Sequence, residues 1–123
     1  MLKKNGRLLG NVNNRFIYCR LRELKEENYN LFEKNMFSGD RYICWAGQEK
    51  GHISHEFTLD ELKSSLTSSK FKIIKILGVF NLLDKYDLEK VKNKEGFLKL
   101  QIEFAEKEEY LNNSQDFFIV AEK

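Results

Sequence analysis

Two histidines, His52 and His55, stand three residues apart in GHISHE, with Cys44 upstream and Glu56 directly after them. Imidazole nitrogens, a thiolate and a carboxylate are ligands that a zinc ion takes, and a metal held there would activate a water for hydrolysis. The spacing argues against a shared ion, because positions i and i+3 of a strand fall on opposite faces. Cys44, His52 and His55 are therefore weak metal candidates for a small metal-dependent hydrolase. The stronger expectation is two turn-adjacent histidines with no metal and no cofactor.

Recognition chemistry is more plausible than catalysis. Read as a strand, residues 15–22 place Ile17, Cys19 and Leu21 on one face and Phe16, Tyr18, Arg20 and Arg22 on the other. Aromatic rings offer stacking surfaces, and guanidinium groups donate in forked pairs to phosphate or carboxylate. Such a face suits a nucleotide ligand, single-stranded nucleic acid or an acidic protein patch. The competing reading covers both faces, with the aromatics in a second core layer and the arginines paired to acids that follow. Arg41 and Trp45, with Tyr42, form a second contact cluster whose rival reading is again core.

No GxSxG, HExxH, GxxxxGK[ST] or GxGxxG signature is present, and the acidic runs at 26–27 and 106–109 read as solvated helix faces. Cys19 and Cys44 lack CxxC spacing and are expected as reduced thiols, one bridge between them being the alternative.

The 123 residues fit one domain, 1–123, and the ten Phe and five Tyr argue against disorder. The net charge is +2, but residues 1–22 carry six basic side chains and no acid, which leaves four net negative charges on the remainder. No stretch approaches the ~20 apolar residues of a membrane span, and the N-terminal residues lack the apolar core of a secretory signal, so the expectation is a cytoplasmic protein without a membrane partner. The absence of proline with heavy use of Lys, Asn, Ile and Phe points to an AT-rich genome, such as that of a low-GC bacterium or its phages.

These groups need elements to position them. Residues 1–14 predict a loosely ordered basic arm, 23–36 a helix, and 41–46 with 52–57 a hairpin. Thr58 and Glu61 form a capping box, and Leu59, Leu62 and Leu66 give the helix after it one apolar stripe. Residues 70–80, apolar on both alternating faces, predict the central strand; 81–94 predicts a helix with Asp87 as a cap for a second piece. Leu98, Leu100, Ile102 and Phe104 alternate with polar residues and predict a strand over 97–104; 105–111 predicts two helical turns and 116–121 a last strand.

The expected class is α+β, a mixed or mostly antiparallel sheet of five to six strands with two to four helices mainly on one face. The expected function is that of a small non-enzymatic binding or inhibitor protein, encoded by a phage or mobile element, that occupies a host protein or a nucleotide ligand. Binding of single-stranded nucleic acid through Phe16, Tyr18, Arg20 and Arg22 is the alternative, although a net charge of +2 is low for it. The uneven charge also permits a homodimer in which unlike ends meet.

Overall fold

The structure is a computed structural model describing residues 3–83 and 85–123. Met1 and Leu2, within the expected arm, and Asp84, within the expected 81–94 helix, lie outside the described residues. In chain order the elements are β1 (Arg7–Asn13), α1 (Arg15–Cys19) widening into a π-turn (Arg20–Leu24), α2 (Tyr29–Ser38), β2 (Asp40–Ile43), β3 (His52–His55), α3 (Leu59–Ser68), β4 (Lys72–Val79), a 3-10 segment (Lys85–Lys90), α4 (Lys94–Ala105), a second 3-10 segment (Glu108–Asn113) and β5 (Asp116–Glu122). The class is α+β.

The strands form two sheets where one was expected. β1, β5 and β4 make an antiparallel sheet with β5 in the middle, and β2 with β3 makes the expected hairpin. A parallel bridge between Asn14 and Phe57 links them. There the Phe57 amide donates to the Asn13 carbonyl and the Arg15 amide to the Phe57 carbonyl, both at 2.9 Å.

Residues 70–80 are corrected from central strand to edge strand. A bulge between Ile73 and Lys75 leaves Ile74 exposed, and Lys72 and Lys75 keep this strand wet. β5 takes the centre because Phe117, Ile119 and Ala121 are buried on one face while Phe118 and Val120 half-fill the other. The buried face meets Leu59, Leu62 and Leu66 of α3 together with Leu111. Burying each such leucine contributes roughly 2 kcal/mol. The capping box is present: the Glu61 amide donates to Thr58 Oγ1 at 3.2 Å, and the Thr58 amide donates to Glu61 Oε2 at 3.4 Å.

Three further expectations are corrected. The basic arm is ordered as β1 over Arg7–Asn13, and Arg7 pairs with Glu122, so the basic start and acidic end of the chain are neighbours in one sheet. Residues 15–22 are helical, because Arg15, Cys19 and Glu23, four residues apart, all face the interior. Residues 97–104 lie in α4, capped by Asn93, whose side chain accepts from the Gly96 amide at 3.0 Å. Leu, Lys, Gln, Glu and Ala favour helix, and Phe97, Gln101 and Phe104 at i, i+4 and i+7 are its half-buried face. The alternating leucines stay exposed as a result. The expected 23–36 helix starts late, at Tyr29, where the Asn28 side chain caps it. No helix among the described residues is long and apolar enough to cross a membrane.

Candidate functional site

The inner side of α1 and its π-turn meets the inward face of β2, and the side chains that meet there are charged. Arg41 Nε donates to Glu56 Oε1 at 2.6 Å, and its terminal nitrogens donate to both oxygens of Glu23. The same guanidinium donates to the sulfur of Cys19 at 3.7 Å. Asn35, on α2, adds a hydrogen bond to Glu23 Oε1 at 3.2 Å. Arg41, Glu23, Glu56 and Cys19 are all buried.

Burial penalises every charge in this cluster, and the outcome depends on the partners. Burial raises the Glu23 carboxyl, but hydrogen bonds from Arg41, its own amide and Asn35 outweigh it and hold the group below the usual carboxylate range. Glu56 is pushed up by burial, which Arg41 only partly offsets. Arg41 stays firmly charged because its bonds to Glu23 and Glu56 overcome desolvation. Burial, with Glu56 and Glu23 nearby, pushes the Cys19 thiol up to about 11.

A second chain of contacts runs beside the first. His55 Nδ1 lies 2.7 Å from Asp40 Oδ1 and its Nε2 lies 3.0 Å from Glu61 Oε1. Glu61 also pairs with Arg15, whose Nε donates to the Glu56 carbonyl at 3.1 Å. Hydrogen bonding to Asp40 raises the His55 imidazole above its ordinary value, burial opposes this, and Glu61 adds to the rise. Gly39, at the end of α2 with φ +73°, gives the Arg15 guanidinium its room; a Cβ there would overlap it.

Between α2 and the hairpin opens a groove of about 580 Å³. Glu23, Asn35 and Arg41 reach its lining, Lys34 and Asp40 add polar side chains, and its apolar walls are Leu31, Tyr42 and Ile53. Tyr42 and Ile53 face each other across the two strands and are 67% and 71% exposed. Tyr42 is held in place by its hydroxyl, which accepts from the Gly51 amide at 2.9 Å. The arrangement can hold apolar groups against a prearranged polar lining.

The residues singled out from sequence separate in space. Phe16, Tyr18, Arg20 and Arg22 share no strand face, since the segment is helical. Tyr18 is half-buried, its hydroxyl meets Gln115 Nε2 at 3.5 Å, and Arg22 lies over its ring at 5.6 Å. Phe16 is exposed, and Arg20 borders a separate polar pocket of about 230 Å³ with Asn81, Asp87 and Asn113. Arg41 is buried in the charge network, whereas Trp45 is exposed in the connection between β2 and β3. His52 and His55 lie on opposite faces of β3, Cys44 is exposed, and among the described residues no group of three or more His, Cys, Asp or Glu side chains is arranged to hold a metal ion.

Sequence reasoning missed Glu23, Glu56, Asn35, Arg15, Asp40 and Glu61 as a connected set. The available signal was the four-residue spacing of Arg15, Cys19 and Glu23, which marks one face of a helix. The chain matches no protein-family model and no curated protein.

Proposed function

We propose that the protein acts by binding another protein, without chemistry of its own, and that the groove between α2 and the hairpin is its contact surface. The observation that carries this reading is the pairing of exposed Tyr42 and Ile53 beside Leu31, over side chains already bonded to one another. Apolar and aromatic anchors around a water-excluding pocket are what protein interfaces use for most of their affinity. Trp45, at the end of the same hairpin, extends the surface. The Cys19 thiol, raised to about 11, and Arg41, engaged by two carboxylates, support a binding role over a nucleophilic one.

The partner that fits is a protein segment presenting two or three apolar or aromatic side chains, and occupying it is the inhibitory action we infer. The AT-rich composition supports a phage or mobile-element gene, with the partner a protein of its bacterial host. The two unpaired cysteines support work in a reducing compartment such as the cytoplasm.

The test is comparative capture from lysate of a low-GC bacterium by the wild-type protein and by a Tyr42→Ala, Ile53→Ala double variant. Both side chains are exposed, but losing their cross-strand pair and the Tyr42 bond to the Gly51 amide should cost about 1–2 kcal/mol, so the variant's fold is checked by its urea midpoint. The expected result is a specific protein retained by the wild type and lost by the variant. Retention of the same proteins by both, or capture of nothing by the wild type, overturns the reading.

A further inference from the structure

We infer that the open edge of β1 pairs with β1 of a second copy of this chain. At one end of the β1–β5 ladder the Asn14 amide donates to the Gln115 carbonyl, and at the other the Lys123 amide donates to the Gly6 carbonyl, both at 3.0 Å. Alternation between those ends assigns the even-numbered residues to β5 and points the main-chain groups of Arg7, Leu9 and Asn11 away from it. The next odd residue, Asn13, already accepts from the Phe57 amide. Arg7, Leu9 and Asn11 thus present three N–H donors and three carbonyls with no protein partner among the described residues.

The opposite edge of the sheet is guarded. β4 carries Lys72, Lys75 and the bulge at Ile74, devices that keep sheet edges from pairing. β1 has no bulge and no proline, and Arg7 is its only charged residue.

The occupant is a second copy because the open groups map onto themselves under a two-fold axis. With the axis at Leu9, antiparallel pairing sets Leu9 against Leu9 of the second copy and Arg7 against its Asn11. All the open donors and acceptors are then used, and no like charges face each other. Leu9, 64% exposed, is covered by the same step. Both ends limit the pairing to residues 7–11. Phe57 occupies the edge at Asn13, and the chain turns at Asn5, φ +69°, where the Gly6 amide donates to the Lys3 carbonyl at 2.8 Å. The product is one six-stranded sheet with the two β1 strands at its centre and the two Arg7 side chains apart.

The test combines sedimentation with concentration-dependent amide hydrogen exchange on the full chain. The wild type should form a dimer in which the Leu9 and Asn11 amides gain protection as concentration rises. Leu9→Lys puts two ammonium groups against each other and removes two leucines from the contact, which should weaken the dimer about thirtyfold or more. Leu9→Pro provides a second route, because its missing N–H faces the open edge and takes nothing from the β1–β5 ladder. A wild type that stays monomeric at millimolar concentration overturns the proposal. So does a dimer that leaves the Leu9 and Asn11 amides exchanging freely, or one that survives in a folded Leu9→Lys variant.

Discussion

Asp40 and His55 face each other directly across the hairpin strands, and the imidazole Nδ1 of His55 lies 2.7 Å from Asp40 Oδ1. The other ring nitrogen reaches Glu61 at 3.0 Å, so one side chain ties β2, β3 and α3 together. A neutral imidazole has one N–H, and only the cation donates to both carboxylates at once. Glu61 in turn holds Arg15, which connects this chain of contacts to the buried cluster.

The pH dependence follows from that geometry. The folded-state value of His55 is raised, chiefly by its bond to Asp40. Its contribution is therefore complete below the unfolded value of about 6.5 and is lost as pH rises through the higher folded value. The stability difference between wild type and His55→Gln should be largest near pH ~6 and shrink toward pH ~8. Urea denaturation across that range measures it, and the His55 imidazole resonance should titrate above its ordinary value. A difference that grows with pH would mean that neutral His55 is the bonded form.

Arg41 is the side chain whose loss should be felt most. Removing it leaves Glu23 and Glu56 buried without their cation, and breaking a buried pair from one side typically costs about 3–5 kcal/mol. Arg41→Ala should lower the urea midpoint accordingly. Adding Glu56→Gln should recover part of that loss, because it removes one stranded carboxylate. If the double variant is no more stable than Arg41→Ala, the two residues are not coupled as their 2.6 Å contact implies.

The two thiols should differ sharply toward a disulfide reagent at neutral pH. Cys44 is exposed, whereas Cys19 is buried with its thiol raised to about 11, which suppresses the reactive thiolate. One equivalent should react quickly in the native protein and the second only on unfolding. The Cys44→Ser variant should then show no fast phase, and fast labelling of that variant would mean the α1–hairpin contact opens readily.

The parts of the fold legible in the sequence were those whose cause is local. The Thr58–Glu61 capping box announces α3, and the polar turn between the RYICWA and HISHEF runs announces the hairpin. Residues 15–22 and 97–104 misled because Ile17, Cys19 and Leu21, like Leu98, Leu100 and Ile102, have the two-residue period of a strand; in the second segment helix-favouring residues and the Asn93 cap override it, and in the first the deciding contacts come from outside the segment. Cys19 and Glu23 become helical neighbours because both meet Arg41, eighteen or more residues away. The groove was half legible. Of its lining, Arg41 and Tyr42 belong to the cluster singled out from sequence, whereas Trp45 of that cluster is not in the lining, and Ile53 and Leu31 join Tyr42 only through the hairpin register and the packing of α2. The 70–80 stretch looked central on hydropathy, yet strand order depends on which neighbours each edge accepts, and β5 accepts two.

The end of the sheet nearest the charge network rests on a close approach that tests the packing quantitatively. Gly78 on β4 lies opposite Phe117, and a Cβ placed on it would overlap the Oγ of the fully buried Ser114 and stand 3.1 Å from its Cβ. The Ser114 backbone is held by its carbonyl, which accepts from Asn14 Nδ2 at 2.7 Å just before α1 begins, and full burial leaves the hydroxyl little room to rotate away. Gly78→Ala should therefore overpack the site and cost about 1–3 kcal/mol. Ser114→Ala removes the oxygen that makes the worse contact and gives up only a long 3.4 Å bond to the Tyr110 carbonyl. The serine substitution should consequently cost less in the Gly78→Ala background than in the wild type. Calorimetry on the four proteins of that cycle measures the coupling, and simple additivity would mean that β4 shifts as a unit and Ser114 is not what holds Gly78 in place.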